Sequence, residues 1–223
     1  MIIVRPTSLA ATLDSAAEAF FYQKPIPASH RQDTASMLIS RQVHSGSNSG
    51  FFIPFAAETE TQSRLFSGEQ LFTDFARSHI QLIESARVLK LLGVDNDDVI
   101  HSIQAADQRM STYCYSKFCP KGECKSLTIA YMRYLSSCNT KDSIKRLNSL
   151  LSRLVSHRDD KGKWIGFPYY YMLVMLSEVY DPLATQELHY AAPLCEKHLE
   201  QLGSVDPISI RRQAIITKAL SRN

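Results

Sequence analysis

Residues 95–98 read Asp-Asn-Asp-Asp, the densest carboxylate string in the chain. A carboxylic acid kept protonated by burial and neighbouring like charge can act as a general acid. The same acids follow Gly93 closely, where a solvent-facing helix start favours a capping side chain and first-turn carboxylates. Cys114, Cys119 and Cys124 are separated by four residues each, with Pro120 and Gly122 tightening the second interval. Thiolates so placed suit zinc. A structural zinc site takes four ligands, however, and the segment has no C-x-x-C or H-x-x-x-H pair, so His79, His101 or His157 would have to arrive from elsewhere. We therefore expect no metal and no cofactor. Cys124 falls at a predicted helix start beside Lys121 and Lys125, which favours its thiolate; a small packed residue is the competing reading.

His79 lies on an apolar stripe and reads as a hydrogen-bonded core histidine. His189 and His198 are nine positions apart, which does not bring two ligands to one helix face, and His157 adjoins Arg158, Asp159 and Asp160 in a loop. The chain carries no G-x-S-x-G string, no P-loop and no Rossmann glycine set. Tyrosines offer the best ligand-binding candidates: Tyr131, Tyr134, Tyr169, Tyr170, Tyr171 and Glu178 fall on two nearly all-apolar helices, where each buried polar group needs a partner. We take Tyr131, Tyr134, Tyr170, Tyr171, Glu178 and Cys124 as the candidate pocket for an apolar or aromatic ligand. Simple core packing is the alternative for all of them.

The elements that must position these groups are helices. Residues 7–22 form an Ala-rich helix that ends before Pro25 and Pro27, and a second helix runs from Ser29 to about His44. A Ser/Gly loop follows, then Phe51–Phe55, which reads as an extended segment or a short inner turn. Leu71, Phe72, Phe75, His79, Leu82, Ile83, Ala86 and Leu89 recur at steps of three and four up to Gly93. Asp95–Asp98, Asn139-Thr140, Asp181-Pro182 and Asp206-Pro207 mark further helix starts. Helices 124–136 and 167–180 are apolar nearly all round, whereas 141–156 and 183–202 each carry one stripe: Ile144, Leu147, Leu151 and Leu154 in the first, and Ala184, Leu188, Ala191, Ala192, Cys195, Leu199 and Leu202 in the second. Enclosed and outward helices alternate. Leu135-Ser136 aligns with Leu176-Ser177 and Leu147 with Leu188, a spacing of about 40 residues that suits a helical-hairpin repeat.

With 223 residues, 44% apolar and 21% charged, the chain has an ordinary globular composition, which excludes fibrous, fully disordered and polytopic membrane classes. A net charge of +3 is too small for a dedicated nucleic-acid binder, although residues 208–223 carry Arg211, Arg212, Lys218 and Arg222 with no acid. Five unevenly placed cysteines fit a reducing, cytoplasmic setting. Asp14 and Glu18 interrupt the apolar run a signal peptide needs, and the longest uncharged apolar run, 164–177, falls short of the ~18 residues that span a bilayer.

Two loops share a pattern. Arg41-Gln42 is followed by Gly46-Ser47 and Gly50-Phe51, and Arg158-Asp159-Asp160-Lys161-Gly162-Lys163-Trp164 leads through Gly166-Phe167-Pro168 into Tyr169. These resemble the glutamine, aspartate-glycine-tryptophan and aromatic-helix repeats of α/α toroid proteins, the squalene-cyclase and protein-prenyltransferase group. Phe118–Cys124 holds the corresponding place with different residues, and the first loop lacks the aspartate and the tryptophan. The resemblance implies a glycine loop joining an outer helix to an inner one. It also implies for Asp95–Asp98 the alkene-protonating acid string of class II terpene cyclases, enzymes that use two helical domains where this chain has room for fewer.

We therefore expect an all-α protein of tandem helical hairpins in an α/α toroid-like or superhelical array, with an irregular N-terminal segment over 1–60 and the repeat domain over 61–223. The expected function is a soluble binding module for a protein or small-molecule partner. The alternative is an enzyme or carrier acting on an isoprenoid-like hydrophobic molecule in the tyrosine-lined pocket. Nucleic-acid binding through 208–223 ranks third.

Overall fold

Aspartate, asparagine, serine and threonine open most of the helices, because their side chains satisfy the first free N–H groups of a turn. The structure, a computed structural model, describes residues 3–56, 58, 64–203 and 206–222. Among these residues it is all-helical, without strands. Contacts divide the chain into two units. The first comprises Met1–Phe66 and Gln70–Ser116, the second Ser67–Glu69 and Lys117–Asn223. The expected boundary at residue 60 lies among 59–63, outside the described residues.

The first unit holds α1 (Leu9–Phe21), α2 (Ala28–Ser40), α3 (Asp74–Leu92) and α4 (Asp97–Ser111). Ser8 caps α1, accepting from the Ala11 N–H, while the Glu58 carboxylate takes the N–H groups of Leu9 and Ala10. Helix α3 packs against α1, α2 and α4. It starts later than its apolar periodicity predicts: Thr73 caps it by accepting from the Ala76 N–H, leaving Leu71 buried and Phe72 exposed ahead of the helix. Asn96 caps α4, with Asp97 and Asp98 in the first turn, as the carboxylate string suggested.

In the second unit are α5 (Cys124–Cys138), α6 (Lys141–Leu151), α7 (Tyr169–Glu178), α8 (Pro182–Gln201) and α9 (Pro207–Leu220). Thr140 and Ser143 form a reciprocal capping box on α6. Asp181 and Asp206 cap α8 and α9, each with proline in the first turn. Helix α5 packs on α6 and α7, α6 also on α8, and α7 also on α8 and α9. Every residue from Leu127 to Leu135 is buried, as is every residue from Tyr171 to Ser177, so α5 and α7 form the core of this unit as their all-apolar pattern predicts. Helix α6 stops five residues short of the predicted end. The Ser152 and Ser156 hydroxyls take the carbonyls of Ser149 and Arg153, competing with helix continuation, and a 3-10 turn, Val155–His157, follows. On α6 the buried apolar residues are Leu147, Leu150 and Leu151, with Leu154 beyond its end, while Ile144 is exposed.

Isolated antiparallel bridges close loops at Gln42–Phe52, Arg64–Gln70 and Arg158–Trp164. Two of these loops share a device. Gly50 at φ +92 and Gly162 at φ +91 each approach a helix so closely that an added Cβ would lie 2.8 Å from the Ala105 carbonyl oxygen of α4 or from Leu194 Cβ of α8. Gly162→Ala is therefore expected to destabilise the chain by about 1–3 kcal/mol. Urea unfolding followed by the emission of Trp164, the single tryptophan, measures it.

Candidate functional site

Among the sequence-derived pocket residues, Tyr131, Tyr134 and Tyr171 are buried in the α5–α7 core, Glu178 is half-buried at the end of α7, and Tyr170 is half-buried beneath Arg212 of α9. Arg133 of α5 is almost fully buried and forms a two-pronged ion pair with Glu178 of α7, Nε to Oε2 at 2.8 Å and Nη2 to Oε1 at 3.0 Å. Its Nη1 donates to the Tyr171 hydroxyl at 3.2 Å. The Tyr131 hydroxyl accepts from Arg146 of α6, and the Tyr131 and Tyr134 rings stack with centroids 6.1 Å apart. Cys124 is the half-buried first residue of α5, and the Cys119 and Cys124 Sγ atoms, both of the second unit, lie within 4.8 Å of each other. Two thiols are half of a structural zinc set; Cys114 belongs to the first unit.

Asp95, Asp97 and Asp98 are exposed at the α4 start, outside the kind of apolar cavity in which an alkene-protonating acid must sit. His79 is buried with Nδ1 2.7 Å from the Phe75 carbonyl, and the rings of Phe51, Phe75, Tyr113 and Tyr115 surround it. Desolvation lowers its pKa against the raising effect of the Phe75 carbonyl, and Arg109 lowers it further, which makes it a neutral core histidine. His157 packs beside Phe118 and Phe167, and His189 lines an open groove with Tyr180, Asp181 and Arg222.

A second constellation gathers where α7 begins and α8 ends. Tyr169 hydroxyl and Cys195 Sγ lie 3.2 Å apart in the interior. His198, one turn after Cys195, sets its ring 5.3 Å from Tyr169 and 6.2 Å from Tyr170. Its Nδ1 is buried with no hydrogen-bond partner among the described residues. Arg212 of α9 lies 4.5 Å over the Tyr170 ring while its Nε donates to the Ser67 carbonyl, and Lys163 Nζ lies 5.6 Å from the Tyr169 ring centre. Burial, then the hydrogen bond and charge of Cys195 and the charge of Tyr170, push the Tyr169 phenol far above its ordinary range. Burial raises Tyr170 against the pull of Arg212, and raises the Cys195 thiol against its bond to Tyr169. Desolvation, then Lys163 and Lys197, lower His198. Such concentrated displacement of titratable groups marks a functional-site candidate.

The loop feeding this constellation is fastened to α8. Glu187 is 1% exposed and takes Arg158 at 3.0 and 3.2 Å and the Trp164 indole N–H at 2.7 Å. The Tyr190 hydroxyl accepts the N–H groups of Asp159 and Gly162, both at 3.1 Å, and donates to Asp159 Oδ1 at 3.0 Å. Asp159 Oδ1 also accepts from the backbone of Lys161 and Lys163. Desolvation raises the Asp159 carboxyl, yet the Lys163 and Lys161 N–H groups and the Tyr190 hydroxyl outweigh it and hold it below the ordinary value. Sequence reasoning missed Glu187 and Cys195 as site residues. The signal for Glu187 was its spacing, three after Ala184 and four before Ala191, which puts a carboxylate on the buried stripe of α8. No family model, curated protein or solved structure matches this chain, so its function is read from these residues.

Proposed function

We propose that this chain is a non-catalytic binding module whose second unit takes a protein or small-molecule partner where α7 begins and α8 ends. The observation that carries this reading is the Tyr169–Cys195 contact with both groups pushed up by burial. A nucleophilic thiol or a phenol acting as a base needs its pKa lowered, whereas these two are held neutral. Around them, the half-exposed rings of Tyr170 and His198 together with Arg212 and Lys163 supply aromatic and cationic contacts of the kind partners use. In architecture, we place these helices in tandem hairpins of toroid-like or superhelical kind. The α5–α7 and α6–α8 packing and the paired glycine loops support that arrangement.

Iodoacetamide at neutral pH tests the reading: Cys195 is expected to stay unmodified in the native chain while the exposed Cys114 is labelled. Rapid native modification of Cys195 would overturn it. The alternative, an enzyme or carrier for an isoprenoid-like molecule among the α5–α7 tyrosines, requires its ligand to displace the Arg133 and Arg146 bonds to Tyr171 and Tyr131. A lipid copurifying in native mass spectrometry would favour that alternative.

A further inference from the structure

We propose that the groove between loop 158–164 and the second half of α8 binds a small polyanion bearing several closely spaced phosphate groups. This deepens the binding-module reading, on which it rests, by naming the ligand chemistry beside the same constellation. The groove has a volume of about 470 Å³ and is lined by Lys161, Lys163 and Lys197, with Asp159, Pro193 and Leu194. Its one carboxylate is committed: Asp159 Oδ1 already accepts two backbone N–H groups and the Tyr190 hydroxyl. Those bonds leave its charge in place, and three lysines against one carboxylate make the groove net positive.

The backbone that carries Lys161 and Lys163 is also fixed. Loop 158–164 is fixed by the Arg158–Trp164 bridge, by Glu187 on Arg158 and Trp164, by Tyr190 on Asp159 and Gly162, and by the close approach of Gly162 to Leu194. A ligand meeting this loop loses little of its binding free energy to ordering the protein. Lysine binds phosphate as a point charge, so three of them on one short groove suit several phosphates on one small molecule. A nucleic-acid strand instead needs a basic track spanning several nucleotides.

His198 makes the site readable. The groups around it are Tyr169 and Tyr170 of α7, Lys163 of the loop and Lys197 of its own helix; burial depresses its pKa most, and both lysines depress it further. An anion that screens these lysines raises that pKa, so binding takes up protons and tightens as pH falls through the imidazole range.

The experiment titrates the full chain with inorganic triphosphate and with sulfate at equal ionic strength, following histidine resonances by NMR and affinity by calorimetry. Triphosphate is expected to bind more tightly than sulfate and to move the His198 titration upward; His198→Gln assigns the resonance. Lys163→Gln combined with Lys197→Gln is expected to weaken triphosphate about tenfold, while Lys141→Gln on α6 leaves it unchanged. The proposal is overturned if triphosphate behaves as sulfate does, if the double variant binds equally well, or if a single-stranded DNA 12-mer outcompetes triphosphate. An unreactive Cys195 together with a failed titration sinks this ligand and leaves the binding-module reading standing. Rapid modification of Cys195 sinks that reading itself.

Discussion

Glu187→Ala is expected to cost about 3 kcal/mol and to loosen loop 158–164, because one carboxylate closes three bonds there. Removing it leaves the Arg158 guanidinium without its counter-charge and the Trp164 indole N–H without an acceptor. A broken buried pair costs about 3–5 kcal/mol, and the value sits at the low end because Arg158 is 21% exposed. Against a usual reserve of about 5–15 kcal/mol the variant still folds. Glu187→Gln keeps an acceptor for the indole and is expected to lose about half as much. Denaturant unfolding gives both values. The emission of the single tryptophan gives a local readout, with a red shift expected in Glu187→Ala alone before unfolding. Equal stability of Glu187→Ala and the parent chain would remove the fastening role.

Glu178→Ala is expected to cost about 3–5 kcal/mol, since it removes the two-pronged counter-charge of Arg133, a cation 1% exposed between two core helices. The stronger test is the pair. Arg133→Met with Glu178→Leu removes both charges and fills their volume with apolar atoms, which recovers most of the loss. Tyr171→Phe removes only the hydroxyl that accepts from Arg133 and is expected to cost about 1 kcal/mol. If the double variant were as unstable as Glu178→Ala, the ion pair would be doing something other than neutralising charge in the core.

Much of the fold was legible because helix signals are local. Asn96, Thr140, Asp181 and Asp206, all within the starts that the sequence marks, cap their helices by accepting from N–H groups two or three residues on. The enclosed character of α5 and α7 was visible in their all-round apolar faces. Errors fell where local signals compete, as at Leu71-Phe72, whose apolar spacing continues a helix that Thr73 in fact begins. The site was less legible. Tyr131, Tyr171 and Glu178 could be seen as polar groups on buried helices, but their partners Arg146 and Arg133 carried no sequence mark of that pairing.

The sequence by itself determined that the chain is helical, where α4, α6, α8 and α9 begin, and that α5 and α7 are enclosed. Tertiary structure alone decided that Tyr169 meets Cys195, that Glu187 meets Arg158 and Trp164, and that three lysines share one groove. Capping and periodicity act over a few residues, whereas those meetings join positions 23 to 36 apart. Only the packing of α7 and α8 brings such positions within a hydrogen bond's reach.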